Sequence, residues 1–244
     1  MALVTGAGRG IGRATAELLA SRGARVMAVS RSENELQTLG LDYLVADLGI
    51  QEECARAVKV TRDRLGPVSI LVCNHGIGSA HERLIWEQDP AVWRESMRIN
   101  LDGPFFLTRL LVKDMIKMAY GRMVFTSSTA GKVAEYAGSA YNSSKHGLLG
   151  LMRSVAQDAS RYGLTSNAVL PGWVRTEMSE TSARTEAKQR GVSTDQVWEE
   201  RSALSPAGRV VTAGEVAEVI AFLASEEASG LNGEAITVAL GSLS

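Results

Sequence analysis

Cysteine is scarce in this chain of 244 residues, and long apolar runs are missing from it. The two cysteines, Cys54 and Cys73, lack the spacing of metal ligands, so we expect no metal site and a reduced, cytoplasmic protein. The longest apolar run, Val219 to Ala224, falls far short of the ~20 residues that a membrane span requires. The first predicted strand begins almost at Met1, so no signal or transit peptide is expected.

Charge of one sign is not in excess either. Lysine and arginine number 26, aspartate and glutamate number 27, and the net charge is −1. Domains that bind nucleic acid or anionic membranes usually carry a basic excess, so neither partner is expected. The hydrophobic content of 45% is enough for one sizeable core, and we expect residues 1–244 to form a single domain.

Short apolar strands alternate with helices along the chain. Strands are predicted at residues 2–5, 25–30, 43–46, 69–73, 122–127, 166–170 and 235–238. Helices are predicted at residues 11–21, 51–65, 90–119 and 141–162. This alternation predicts an α/β fold in which a doubly wound parallel sheet of seven strands has helices on both faces.

A polar, charged segment interrupts the alternation at Glu177–Ser205. Its pattern is largely helical, and we interpret it as a helical lid over a substrate, because mobile lids often carry specificity. Met178 and Trp198 are its main large apolar side chains. They are expected either to line the pocket or to pack onto the body of the fold.

A glycine-rich turn separates the first strand from the first helix. It reads Thr5-Gly6-Ala7-Gly8-Arg9-Gly10-Ile11-Gly12. Glycines at such a junction let the backbone approach a pyrophosphate, and the helix N-terminus offers N–H donors to it. The loop residues expected to bind a dinucleotide are Gly6, Gly8, Arg9, Gly10, Ile11 and Gly12.

The residues after the second strand should contact the adenosine ribose. Ser30 and Arg31 stand there, and no carboxylate follows before Glu33. Arginine offers a planar fork for a 2′-phosphate, so Arg31 and Arg9 predict NADP(H) as the cofactor, unless both are only solvated. Asp47 ends the third predicted strand, and Leu48 follows it; both are expected beside the adenine. Asp47 is expected either to accept a hydrogen bond from the adenine amine or to cap the next helix.

Tyr141 and Lys145 stand four residues apart on a predicted helix. Such side chains lie on one face of the helix. A free tyrosine titrates near pKa ~10, and an adjacent ammonium favours the phenolate and lowers that pKa. The pair therefore predicts an acid–base catalyst.

Taken together, these motifs resemble the single-domain short-chain dehydrogenase/reductases, over nearly the whole chain. Asn100 matches the family's catalytic asparagine, and Ser128 its catalytic serine, with Tyr141 and Lys145 as the remaining pair. The resemblance implies a Rossmann fold. It also assigns cofactor contacts to Asn74, Gly76, Tyr141, Lys145, Pro171, Gly172, Val174 and Thr176.

Two segments depart from the family's pattern. Cys73 and His75 replace residues of its Asn-Asn-Ala-Gly motif, and His75 is expected near the cofactor ribose. Val238-Ala239-Leu240-Gly241 replaces its Val-Asp-Gly-Gly, which weakens the expectation of the usual subunit contact there.

The resemblance also implies a mechanism. Tyr141 exchanges a proton with the substrate oxygen while the nicotinamide exchanges a hydride with its carbon. Lys145 lowers the phenol pKa and binds the nicotinamide ribose, Ser128 donates to the carbonyl oxygen, and Asn100 holds a water that links Lys145 to solvent.

The lid sequence resembles those of 3-hydroxybutyrate dehydrogenases and of polyketide ketoreductases. Gly78, Ala130 and Gly138 occupy the positions with which the former clamp a carboxylate, and none of them can do so. We therefore expect reduction of a bulky ketone, such as a 3-oxoacyl thioester or a polyketide-like chain. The alternatives are a broad-specificity carbonyl reductase or secondary-alcohol dehydrogenase, and an idle NADP-binding protein.

Apolar side chains form wide stripes on two of the predicted helices. One stripe lies between Pro104 and Met118, and the other between Leu148 and Val155. A stripe wider than one sheet face needs often marks an interface, although plain core packing also explains it. The family commonly pairs these helices, so we expect a homo-oligomer, either a tetramer or a dimer.

Overall fold

The computed structural model describes residues 1–79 and 83–242, and a parallel sheet forms its centre. The strands are β1 (Ala2–Thr5), β2 (Val26–Ser30), β3 (Asp42–Val45), β4 (Ile70–Cys73), β5 (Gly121–Thr126), β6 (Leu164–Pro171) and β7 (Ala235–Val238). They lie in the order β3-β2-β1-β4-β5-β6-β7, and all neighbours pair in parallel. The predicted seven-stranded doubly wound sheet is confirmed.

Helices cover both faces of this sheet. They are α1 (Gly10–Ser21), α2 (Glu33–Gln37), α3 (Gln51–Leu65), α4 (Pro90–Met97), α5 (Gly103–Met118), α6 (Ser139–Ala159), α7 (Glu177–Arg190), α8 (Thr194–Ala203) and α9 (Ala213–Leu223). A π-helical turn, Arg98–Asp102, joins α4 to α5. The sequence analysis missed α2 and α9, although Thr212 and Glu215 form a capping box at the start of α9.

Side chains alternate along each strand and build one core on each face. On β1, Leu3 packs with the core beneath α3, α5 and α6, whereas Val4 packs with the core beneath α1 and α9. Leu71 and Val72 divide in the same way on β4. Each fully buried side chain of this size stabilises the fold by about 1.5–3 kcal/mol. Burial on both faces explains why β1 and β4 are largely apolar in sequence.

The sheet changes its direction of winding between β1 and β4. The chain leaves β1 towards β2 and β3, then returns to add β4 on the other side of β1. In open α/β sheets, ligands bind outside the carboxyl ends of the strands at such a point. Among the described residues, no helix is both long and apolar enough to cross a membrane.

Candidate active site

A cavity of about 810 Å³ opens at the carboxyl ends of the central strands. Its size is typical of sites that enclose small molecules. The glycine loop and the end of β2 line one part of it, and Ser128, Tyr141 and Lys145 line another. The sequence-predicted residues that line it are Gly6, Gly8, Arg9, Gly10, Ile11, Ser30, Arg31, Asp47, Leu48, Asn74, Gly76, Ser128, Tyr141, Lys145, Pro171, Gly172, Val174 and Thr176. Gly12 and Asn100 lie immediately behind this lining.

The glycine loop holds the N-terminus of α1 against the end of β4. Gly6 and Gly10 have φ angles of +64° and +56°, which other residues rarely adopt. A Cβ at Gly12 would lie 2.1 Å from the carbonyl oxygen of Gly6, so no larger residue fits there. Asn74 Nδ2 donates to that same oxygen at 3.3 Å. The loop is therefore fixed from both sides, with its backbone open to the cavity.

Thr5 connects this loop to the segment after β4. Its hydroxyl donates to the Val72 carbonyl oxygen at 3.1 Å and accepts from the backbone N–H groups of Asn74 and His75 at 2.9 and 3.2 Å. The Nδ1 atom of His75 lies 2.7 Å from the same hydroxyl. Burial, assisted by the charge of Lys145, lowers the pKa of His75 to about 3, so the ring is neutral at physiological pH. His75 lines the cavity at this point.

Lys145 lies on the buried side of α6. Its Nζ donates to the carbonyl oxygen of Thr126 at 3.0 Å and lies 5.6 Å from the centre of the Tyr141 ring. Burial lowers the pKa of Lys145 to about 8. The Ser127 hydroxyl donates to the Lys145 backbone oxygen at 3.0 Å, which fixes this part of α6 against the end of β5.

Asn100 lies in the π-helical turn, on the opposite side of the cavity wall. Its Oδ1 accepts from the N–H of Ile77 at 2.8 Å, and its Nδ2 donates to Ile77 O and Ser144 Oγ, both at 3.0 Å. A Cβ at Gly76 would lie 3.1 Å from Asn100 Oδ1 and 3.5 Å from Lys145 Nζ. The asparagine and the lysine thus meet around a position that a side chain would obstruct. Single π turns inside α-helices are frequent at functional sites.

Ser128 follows β5 and begins a short 3₁₀ turn, Thr129–Gly131. Its Oγ accepts from the Ala130 N–H at 3.1 Å, which leaves the hydroxyl proton available to a group in the cavity. Of the three positions considered for a carboxylate clamp, only Gly78 lines the cavity, whereas Ala130 and Gly138 are buried away from its lining.

The segment after β6 forms the wall that faces the glycine loop. Gly172 N donates to Val238 O at 3.1 Å, and Val174 forms an isolated bridge with Val211. Thr176 caps α7 in a capping box with Ser179. A Cβ at Gly10 would lie 3.0 Å from the Thr176 methyl group, so the start of α7 touches the loop. A ligand that lies on the glycine loop is therefore in reach of this segment.

Charged groups crowd the end of the cavity beyond β2 and β3. The Arg9 guanidinium forms ion pairs with Glu177 and, at 3.5 Å, with Glu35. Asp47 accepts from the Gly49 N–H at 3.0 Å and pairs with Arg98 at 3.2 Å. Burial opposes ionisation, but these hydrogen bonds hold the pKa of Asp47 below its usual value. The alternative that Asp47 caps the next helix is wrong, because Ile50 occupies the N-cap of α3. The Asp47 carboxylate instead forms a turn with Gly49.

Two helices, α7 and α8, occupy the polar segment and approach the cavity. Met178 lines the cavity, and its Sδ would lie 3.3 Å from a Cβ at Gly78. Trp198, on α8, is 5% exposed and packs with Ala183 and Ala187 of α7, so it neither lines the cavity nor belongs to the two cores of the sheet. The Arg201 guanidinium lies 3.7 Å from the centre of the Trp173 ring and pairs with Glu186 at 2.9 Å. This stack fastens the two helices to the segment after β6.

Sequence reasoning missed Glu35 as a cavity residue. Its carboxylate lies beside Gly8 and Ser30 at the floor of the charged end. Acidic residues favour the first turn of a helix, and Glu33 and Glu35 stand in the first turn of α2. This indication of a helix start was present in the sequence, but no helix was predicted there.

Known proteins of similar sequence indicate the family to which this chain belongs. The sequence profile of the short chain dehydrogenases matches residues 1–187. The 3-oxoacyl-[acyl-carrier-protein] reductase of Escherichia coli is 35% identical over 245 residues, which cover 98% of this chain and 95% of that protein.

Two solved structures are also similar. One is a variant of actinorhodin polyketide ketoreductase with NADPH, with a TM-score of 0.94, 33% identity and coverage of 99% of this chain and 96% of that chain. The other is levodione reductase, with a TM-score of 0.93, 31% identity and coverage of 98% and 96%. The chain therefore belongs to the short-chain dehydrogenase/reductase family, and it is an oxidoreductase that uses a nicotinamide cofactor on C=O or CH–OH groups.

Proposed function

We propose that this protein reduces a ketone to a secondary alcohol with NADPH. One observation carries the proposal: the ammonium of Lys145 is buried beside the ring of Tyr141, in the cavity that the glycine loop also lines. A buried lysine next to a phenol tunes that phenol for proton transfer. An idle dinucleotide-binding protein would have no use for this arrangement.

The cavity fits a nicotinamide dinucleotide. The positive φ angles of Gly6 and Gly10 expose backbone N–H groups at the start of α1, where a pyrophosphate is stabilised. Thr176 closes this part from the other side, and Val174 with Pro171 and Gly172 would hold the carboxamide. When bound, the nicotinamide supplies the hydride.

The reaction's proton chemistry is assigned to four side chains. Tyr141 donates its phenolic proton to the carbonyl oxygen, and Ser128 donates a hydrogen bond to the same oxygen as negative charge develops there. Lys145 favours the phenolate that remains and contacts the ribose. Asn100 holds the backbone around Ile77 and keeps a water within reach of Lys145, which returns a proton from solvent.

Arg9 and Arg31 support NADP(H) as the preferred cofactor. Both line the end of the cavity beyond β2, where the adenosine ribose would lie. The actinorhodin polyketide ketoreductase was solved with NADPH, which agrees with this choice. The arginines are cavity residues, so the alternative that they are only solvated is disfavoured.

The substrate we propose is a bulky ketone of the 3-oxoacyl or polyketide type. The similarity to a 3-oxoacyl reductase and a polyketide ketoreductase supports it. Met178 gives the cavity an apolar rim that suits such a chain. A broad-specificity carbonyl reductase or secondary-alcohol dehydrogenase is the second candidate, favoured by the similarity to levodione reductase.

We further propose a single domain of residues 1–244 in which α7 and α8 form the substrate lid, and a cytoplasmic homo-oligomer. Most of the apolar stripe on α5 and α6 packs inside the protomer, but Phe105 is 46% exposed. A tetramer or a dimer would cover it. Light scattering distinguishes these states from a monomer.

Oxidation of NADPH by purified enzyme tests the proposed function. The panel consists of a 3-oxoacyl thioester, a bicyclic ketone, a small keto acid and an aryl ketone. Turnover of the first two supports a bulky substrate, whereas turnover confined to the aryl ketone favours the second candidate. Tight NADPH binding without any turnover would overturn the assignment.

A further inference from the structure

Glu35 projects from α2 into the floor of the cofactor cavity. A Cβ at Gly8 would lie 2.5 Å from Glu35 Oε2 and 2.9 Å from Ser30 Oγ. The carboxylate therefore lies between the glycine loop and the end of β2, where the adenosine ribose of a dinucleotide would rest. The side chain is 31% exposed, so solvent only partly screens its charge.

The surroundings of Glu35 are less cationic than two arginines would suggest. Arg9 is shared between Glu35 and Glu177. Arg31 lies close enough to add a small favourable charge effect at Asp47 and Glu95, both of which are ion-paired with Arg98. Three guanidinium groups thus meet four carboxylates at this end of the cavity. A 2′-phosphate that binds Arg9 here must share its guanidinium with these two carboxylates, both of which pair with the same Arg9 nitrogen.

Glu35 differs from the other three carboxylates in its position. Asp47 and Glu95 are bonded to Arg98 and point along the β3–α4 side. Glu177 belongs to α7 and is 62% exposed. Only Glu35 lies against the cavity floor formed by Gly8 and Ser30, within reach of a ribose hydroxyl.

We infer that Glu35 is a cofactor-specificity residue that opposes the 2′-phosphate of NADP(H) and accepts a hydrogen bond from the ribose hydroxyls of NAD(H). Glu35 therefore reduces the preference for NADPH that Arg9 and Arg31 give, and the enzyme turns over with NADH as well as NADPH. A carboxylate near a ribose hydroxyl favours NAD(H), whereas arginine favours the 2′-phosphate, and this site holds both. The inference rests on the proposed function for the placement of the adenosine.

Binding of nucleotides to wild type and to Glu35→Gln tests it without any turnover. The probes are 2′,5′-ADP against 5′-ADP, and NADPH against NADH, each titrated by calorimetry at low and high salt. Glu33→Gln is the matched control, because it removes the same charge from the same turn of α2 but does not line the cavity.

Within each pair of probes, Glu35→Gln should change the ratio of the two Kd values by about fivefold or more in favour of the probe with the 2′-phosphate, which is 2′,5′-ADP or NADPH. High salt should diminish this change. Glu33→Gln should leave the ratio within about twofold of wild type. A ratio that Glu35→Gln does not change, or that Glu33→Gln changes equally, overturns the role of Glu35. Binding without turnover would overturn the proposed reaction alone, and failure of both dinucleotides to bind would overturn both.

Discussion

The ammonium of Lys145 lies 5.6 Å from the centre of the Tyr141 ring and donates to the carbonyl oxygen of Thr126. The lysine is thus anchored to the end of β5. Its charge acts on Tyr141 through space, in a buried site where such an effect is stronger than in water. The charge of Lys145 therefore favours the phenolate form of Tyr141.

Tyr141→Phe should lower kcat by about 100-fold to 10,000-fold, because it removes the group that exchanges the substrate proton. The Kd for NADPH should stay within about twofold of wild type, since the ring remains. Stopped-flow turnover and calorimetry measure the two quantities. Tyr136→Phe is the control, because Tyr136 is 88% exposed and outside the cavity lining. Near-normal turnover of Tyr141→Phe would show that another group supplies the proton.

The reduction rate should decline as pH rises through about 8, where Lys145 loses its proton in the folded protein. Without the ammonium the phenolate is less stabilised and Tyr141 is a weaker acid. A profile of kcat against pH measures this limb. In Lys145→Arg it should move to higher pH, since a guanidinium keeps its charge. A wild-type kcat that is flat well above this range would contradict the pairing.

Lys145→Met should raise the free energy of unfolding at neutral pH by about 1–3 kcal/mol, because the lysine is charged in a buried site. Its folded pKa of about 8 lies below the ordinary 10.5, so between these values the unfolded chain binds more protons. Wild-type stability should therefore rise with pH in that window, and the advantage of Lys145→Met should shrink. Urea unfolding at several pH values measures both. A variant less stable than wild type at neutral pH would contradict the sign.

Gly12→Ala should destabilise the fold and weaken NADPH binding by roughly tenfold or more, because it displaces the glycine loop. The added carbon would lie 2.1 Å from the Gly6 carbonyl oxygen, so the glycine loop must move. Gly150→Ala, on α6, should instead stabilise by about 0.5–1 kcal/mol, because that position is helical and a Cβ meets nothing within 4 Å. Thermal unfolding and NADPH titration compare the two. Equal effects would contradict the crowding at Gly12.

Arg201→Lys should lower the free energy of unfolding by about 2–4 kcal/mol, because an ammonium cannot stack on Trp173 and pair with Glu186 together. It should also raise KM more than it lowers kcat, since α7 and α8 loosen over the substrate. Arg190→Lys is the control on the same pair of helices, where the ion pairs are exposed. If the two variants unfold alike, the stack contributes little.

Much of the fold could be predicted from the sequence because its two signals, apolar runs for strands and helical periodicity for helices, are both local. The central strands β1, β2 and β4 are buried on both faces, which makes their sequences largely apolar and marks their bounds. The short helix α2 escaped prediction because five residues give no periodicity to detect. With α2 missed, Glu35 had no predicted position, and the NADP(H) assignment rested on Arg9 and Arg31 alone.

The catalytic candidates were predictable for a different reason. Helix spacing places Tyr141 and Lys145 on one face, whereas Ser128, which follows a strand end, was expected only through the resemblance to the family. The stack of Arg201 on Trp173 joins residues from separate elements, and no spacing rule connects them. Contacts of this kind depend on how α8 packs, which the sequence pattern does not contain.

The Thr5 hydroxyl has one proton, and it goes to the Val72 carbonyl oxygen. If that proton stays on the Val72 bond, the His75 imidazole donates through Nδ1 to the hydroxyl at 2.7 Å, and Nε2 has no partner among the described residues. With its pKa near 3, the ring stays uncharged wherever the enzyme can be assayed. This histidine is therefore silent in kinetic titrations. An ionisation seen between mildly acidic and alkaline solution is therefore not that of His75.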